Sequence, residues 1–177
     1  MDLRAVADAL ARLEKVLRRR PEAGLSDDAT AFASWSGQGH ALRVVCRHPN
    51  GREVQTDLPV ALGGSGDEVS PGWLYRAGLA SCATSSIVLL AASEGVALTR
   101  LEVDAASRTD ARGLLGLEDE RDGEVNPAPT AQHLVVRIAA DGATQAQLQS
   151  FVERALRRSP IPRAVSHTGL AVQVEAA

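Results

Sequence analysis

Two cysteines and four histidines are the side chains in this 177-residue chain best suited to nucleophilic attack or to metal binding. Cys82 lies inside "WLYRAGLASCATSSIVLLAASEG", Trp73 to Gly95, a stretch whose only charges are Arg76 and Glu94. A thiol reacts as its thiolate, which needs a cation or hydrogen-bond donors beside it. Arg76 precedes Cys82 by six residues and so falls well off its face of a helix, and the third helical turn is too deep for the helix N-terminus to help. An activating guanidinium must come from another segment: Arg43, Arg47 or Arg52 in the first strand pair, or Arg108 or Arg112. The alternative is a cysteine that serves only as a small buried hydrophobe, and a core role is expected of Cys46. His40, His48, His133 and His167 share no ligand spacing with each other or with a cysteine, so neither a metal nor a cofactor is expected. The glycine-rich GGSGDE, residues 63–68, lacks the lysine and the strand-to-helix context of a phosphate-binding loop.

The thiol must be positioned by its own helix. Ser70 is placed as N-cap and Pro71 as first helical residue, and Gly95 supplies the stop. The stretch has the length of a membrane span, but its serines, threonine and alanines dilute it, and a helix covered by protein fits better than a membrane partner. Ahead of it, ALRVVCR and EVQTDLPV alternate as strands around Asn50-Gly51, with Val54, Thr56 and Leu58 expected on one face. After it, LTRLEVDAAS and QHLVVRIAA alternate as strands around an acidic, proline-bearing loop expected to be mobile. Thr144 and Gln147 form a capping box for a helix with Leu148, Phe151, Val152, Ala155 and Leu156 as its buried stripe. Ser159-Pro160 reads as its end, and GLAVQVEA as a last strand. The order is that of an α+β domain with antiparallel sheets.

At the N-terminus, Leu3, Val6, Leu10, Leu13, Val16 and Leu17 recur at helical intervals, with Arg18 to Arg20 at the end and Pro21 as the stop. Residues 1–30 read as this amphipathic helix and a linker, and residues 31–177 as the main domain. Hydrophobic residues make up 45% and aromatic residues 3%, so the core must be aliphatic. With 19 basic and 22 acidic residues the net charge is −3, which lacks the basic surplus of a nucleic-acid binder. The charges threaded through the first helix do not make a signal segment, and two distant cysteines suit a reduced, cytoplasmic compartment.

Three segments in order, "SPGWLYRAGLASCATSSIVLLAASEGVALTRLEV", "RTDARGLLG" and "LRRSPIPRAV", resemble the OsmC/Ohr family of osmotically inducible and organic hydroperoxide resistance proteins. The resemblance covers roughly Ala41 to Ala177. It implies an OsmC-like fold with antiparallel sheets around long central helices in an intertwined homodimer, here with an extra N-terminal helix. It also implies reduction of a small apolar hydroperoxide by a cysteine thiol in an oxidative stress response, with an external thiol as reductant. Cys82 takes the place of the attacking cysteine; the family's flanking cation is assigned to Arg47 and its acid to Glu68, with Asp67 as the alternative. Trp73, Tyr75, Leu79 and Ser159 are assigned to the binding pocket. Two positions depart from the pattern: Ser159 stands where the family has its second cysteine, and Gly72 where it has an acid after the proline. The resemblance therefore implies a degenerate site, belonging either to a one-cysteine peroxidase or to a catalytically decayed small-molecule-binding or redox-sensing relative.

Overall fold

The computed structural model describes residues 3–35, 37, 39–121 and 123–176; Asp2 of the expected first helix, Asp122 of the acidic loop and the terminal Ala177 lie outside them. The chain divides into two compact units, one of Leu13–Tyr75 and one of Met1–Arg12 with Arg76–Ala177.

Helix α1, Arg4–Arg19, ends in Arg18 and Arg19, which suit the negative end of its dipole. Its Leu13 and Val16 are exposed. In the smaller unit, β1 (Phe32–Trp35), β2 (Val44–Arg47) and β3 (Glu53–Thr56) form an antiparallel sheet in that order. The expected β2–β3 hairpin is present, with Arg47 opposite Glu53 and Gly51 at φ 85° in the turn. Strand β1 was not legible in the sequence. The expected alternation also fails at one end, because β3 stops at Thr56 and turns Asp57, not Leu58, into the interior.

In the larger unit, α2 (Pro71–Glu94), which begins in the smaller unit, supplies a buried face of Leu79, Ala83, Ile87, Leu90 and Ala91. That face meets a sheet ordered β4 (Leu98–Arg108), β7 (Thr130–Ala140) and β8 (Ala171–Ala176). Ile87, Leu90 and Ala91 pack with Val136 and Ile138 of β7 and with Leu148, Phe151, Val152 and Ala155 of α4 (Gln145–Arg157). Leu79 and Ala83 close a second cluster with Leu134. Both ends of α2 are as expected: the Trp73 amide donates to Ser70 Oγ at 3.1 Å, and Gly95 takes φ 68°. Among the described residues α2 is the one helix long and apolar enough to cross a bilayer; its buried face against β7 is the arrangement of a core helix. Ser81, Ser85, Leu89 and Ser93, four residues apart, remain exposed, so the unit covers only one side of it.

Strands β4 and β7 are antiparallel, but β8 joins β7 in parallel, with Leu134 opposite Val172 and Val136 opposite Val174. The chain leaves β7 and returns through α4 and a short helix α5, Pro160–Val165, and such a crossover brings the next strand back in the same direction. Ser159-Pro160 therefore opens a helix rather than only ending one. The Thr144–Gln147 capping box forms as expected. The acidic loop carries a one-turn helix α3 (Ala111–Leu114) and a small hairpin of β5 (Glu118–Asp119) and β6 (Gly123–Glu124). Within this segment Arg112 donates to Asp110 and Asp119.

Ile138 is fully buried among α2 and α4 side chains, so Ile138→Ala should lower unfolding stability by about 2–5 kcal/mol. Urea titration followed by circular dichroism reads this, and a loss no larger than that of an exposed-site control, Val60→Ala, would contradict the core described.

Candidate active site

Cys82 is half-buried and is the twelfth residue of α2, at the start of its fourth turn. Its Sγ lies 3.3 Å from Ser159 Oγ, and the Ile161 amide donates to it at 3.5 Å. Ser159 is fully buried, and its hydroxyl also donates to the Cys82 carbonyl at 3.1 Å. Both partners belong to the start of α5, where the first amides of a helix have no carbonyl of their own helix to bond. The sulfur thus faces one hydroxyl and one amide N–H, groups that can hydrogen-bond either a thiol or a thiolate. A Cβ at Gly78, one turn earlier, would lie 3.8 Å from Ile161 Cδ1, an ordinary contact, so α5 does not depend on a glycine there.

A different polar cluster organises the smaller unit. Asp57 is 2% exposed and is wrapped by the GGSGDE loop. The Ser65 hydroxyl donates to Asp57 Oδ2 at 2.5 Å, the Leu58 amide to Oδ1 at 2.7 Å, and the Ser65 amide to Oδ2 at 3.3 Å. Arg43 donates to Asp57 at 3.3 Å and to Asp67, and pairs with Glu68 at 3.8 Å. The Ser65 hydroxyl, above all, holds the Asp57 carboxyl down at about 2 against an ordinary 3.8; burial opposes it, and the two amides and Arg43 add to it. Asp67 is lowered as well, again chiefly by Ser65. Gly64 makes the wrap possible: a Cβ there would fall 1.9 Å from the Leu58 carbonyl oxygen and 2.8 Å from Asp57 Oδ1. The adjoining Gly63 takes φ 85° over open space.

The residues assigned from the resemblance are distributed as follows. Cys82 and Ser159 are in contact. Leu79 sits in the core at 1% exposure against Ala83 and Leu134, rather than on an open wall, while Trp73 is exposed and Tyr75 half-buried. Arg47 is exposed and bonded to Glu53 at 2.6 Å and Ser34 at 2.9 Å, because cross-strand register places Glu53 opposite it. Glu68 faces Arg43 and not Arg47. The Nε of Arg43 is buried and unpaired, and its side chain is mostly buried. Cys46 is half-buried on β2 between Ala33 and Val54.

Sequence reasoning missed Asp57, Ser65 and Ile161. An acid just past an alternating strand and ahead of a glycine-rich loop was a signal for the first two. Ile161 had none, since its backbone and not its side chain meets the sulfur. A groove of about 710 Å³, lined by residues such as Val96, Ala143, Phe151 and Arg154, opens at the far end of α2. Its nearest α2 residue, Glu94, stands about 18 Å along the helix from Cys82 at 1.5 Å per residue, so this groove is not the thiol's pocket.

Comparison with known proteins gives a consistent picture. The family model described as OsmC-like protein matches residues 64–175. An organic hydroperoxide resistance protein OsmC from Legionella pneumophila has a similar structure, with TM-score 0.60 at 19% identity over 86% of this chain and 98% of that one. An OsmC-like protein from Mycoplasma pneumoniae gives 0.65 at 12%, over 86% and 98%. The organic hydroperoxide resistance protein OhrB of Bacillus subtilis gives 0.54 at 18%, over 85% and 98%. At such identities the likeness is one of fold. Comparison with curated proteins yields no match.

A carboxyl depressed in the folded state lends stability that is complete above its unfolded value and disappears as pH falls through its folded value. For Asp57 that window runs from 3.8 down to about 2. Asp57→Asn should flatten the acid limb of the stability–pH curve within this window and leave its slope above pH 5 unchanged. Thermal melts across pH 2 to 6 check it; an identical acid limb in both proteins would refute the carboxylate's role.

Proposed function

The chain belongs to the OsmC-like protein family, and on that premise we propose that it is a one-cysteine peroxidase for organic hydroperoxides, with the Cys82 sulfur as the attacking atom. The observation that carries this reading is the half-buried sulfur set between a buried hydroxyl and an amide N–H. Both groups are able to donate a hydrogen bond to a thiolate. The thiolate attacks one peroxide oxygen; the S–O bond forms as the O–O bond breaks, and the leaving alkoxide takes a proton to become the alcohol. Cys82 is then a sulfenic acid.

Ser159 cannot form a disulfide, so in this reading an external thiol completes the cycle. Its sulfur bonds to Cys82 with loss of water, and a second thiol then releases Cys82 by exchange. The reading also needs a guanidinium. Within the smaller unit both hairpin arginines already meet acids, Arg47 with Glu53 and Arg43 with Asp57, Asp67 and Glu68.

The serine at 159 favours one alternative, a redox-sensing protein whose oxidised sulfur is the signal. Turnover separates the two: a peroxidase consumes many equivalents of hydroperoxide when thiol is supplied, a sensor about one.

With cumene hydroperoxide, dimedone should label Cys82 as a sulfenic acid, and Cys82→Ser should abolish both the label and peroxide consumption. No adduct on Cys82 at any peroxide dose would end the peroxidase reading. We further infer an intertwined homodimer, supported by the exposed, uncharged stripe of Ser81, Ser85, Leu89 and Ser93 on a helix charged only at Arg76 and Glu94. Sedimentation at micromolar concentration should give the dimer mass; a monomer there would refute it.

A further inference from the structure

Two Ser-Pro pairs open helices in this chain, and their serines behave differently. Ser70 does what a serine at a helix start ordinarily does, its Oγ accepting from the Trp73 amide at 3.1 Å. Ser159 holds the same position ahead of α5, yet its side chain makes no capping bond. Its hydroxyl lies 3.1 Å from the Cys82 carbonyl and 3.3 Å from Cys82 Sγ. The Ile161 amide, which a capping serine would accept from, donates to the sulfur at 3.5 Å. The roles are exchanged: the sulfur caps α5, and the serine attends to the sulfur. The carbonyl that Ser159 contacts lies in the interior of α2, where helical amides already serve such groups, so this contact meets no unsatisfied need.

Hydrogen bookkeeping gives the contact its meaning. Ser159 has one hydroxyl hydrogen and two lone pairs. While that hydrogen rests on the Cys82 carbonyl, the oxygen offers the sulfur a lone pair, and the thiol S–H donates to it. Once the thiol proton leaves, lone pair would face negative sulfur, and the hydroxyl gains by rotating its hydrogen onto the thiolate. We infer that Ser159 is a positioning residue for Cys82, its buried hydroxyl orienting the S–H of the neutral thiol and turning to donate to the thiolate. The inference rests on the reading of Cys82 as the reacting sulfur. It also explains how a chain without a thiol at this position can keep a reactive one: the hydroxyl replaces the hydrogen-bonding part of a second cysteine and not its disulfide-forming part. The sulfenic acid therefore persists in this pocket until a thiol from solution reaches it.

The test uses the S–H stretching band in infrared spectra of the reduced protein, with Cys46→Ala assigning the band of Cys46. In Ser159→Ala the Cys82 band should move to higher frequency while the Cys46 band stays. Alkylation of Cys82 by iodoacetamide at neutral pH should slow about tenfold, the order expected from losing a hydrogen bond to a charged acceptor. An unmoved Cys82 band together with an unchanged rate would overturn the inference, whether or not the protein consumes hydroperoxide. If band and rate respond but no hydroperoxide ever yields a sulfenic acid, the positioning role stands and the peroxidase reading falls. A second variant guards against misfolding of the first. Ser159→Cys, oxidised with one equivalent of cumene hydroperoxide, should close a disulfide to Cys82 detectable by mass spectrometry. A sulfenic acid persisting beside the introduced thiol would show that position 159 does not address the sulfur.

Discussion

A 24-residue helix carrying charge only at Arg76 and Glu94 has to be covered, and the pressing of α2 against β7 is the constraint from which the larger unit follows. Each large aliphatic side chain buried in full contributes roughly 1.5–3 kcal/mol, and Leu79, Ile87 and Leu90 on one face of α2 make that face the natural floor of a core. Strand β7 answers with Leu134, Val136 and Ile138 on its matching face, and α4 closes the cluster with Leu148, Phe151 and Val152. With almost no aromatic side chains available, small aliphatic groups must interdigitate closely, which favours the alanines so frequent in α2. The return through α4 also delivers α5 to the side of α2 at Cys82. Packing and chemistry are therefore set by one connection.

The sulfur is held by backbone and hydroxyl groups more than by charge within its own unit. An amide at the start of a helix is a fixed donor, since no preceding turn exists to claim it. A buried hydroxyl is adjustable, since it can reverse its polarity by rotation. One fixed and one rotating donor suit an atom that must exist in both neutral and anionic states. The acidic cluster of the smaller unit follows the opposite logic: Asp57 is kept ionised in a buried place by fixed amides and a hydroxyl, with Arg43 beside it.

Much of this was legible in the residues. The ends of α2, the capping box at Thr144, the β2–β3 turn and the buried stripe of α4 all follow from local signals that the tertiary structure leaves intact. Where reading failed, a non-local partner decided the outcome. Strand β1 is short and carries exposed Phe32 and Trp35, so no alternation announced it. The direction of β8 depended on the crossover. Ser159-Pro160 was read as a stop because a helix had just preceded it, although the same dipeptide at Ser70-Pro71 was read as a start. Arg43 and Arg47 share a strand face in the sequence pattern, which could not choose between them, and cross-strand pairing engages Arg47 with Glu53. Cys82 and Ser159 were found together through family likeness, but their 3.3 Å contact is a property of the fold.

Adjacent glycines in the loop around Asp57 are required for unrelated reasons. At Gly63 the demand is one of handedness: the space beside it is empty, but the left-handed backbone would strain any side chain placed there. At Gly64 the demand is one of volume, because a methyl group would collide with the Leu58 carbonyl. An asparagine, which tolerates left-handed backbone, could thus stand in for the first glycine at modest strain, whereas at the second even a methyl group would force the chain around it to shift.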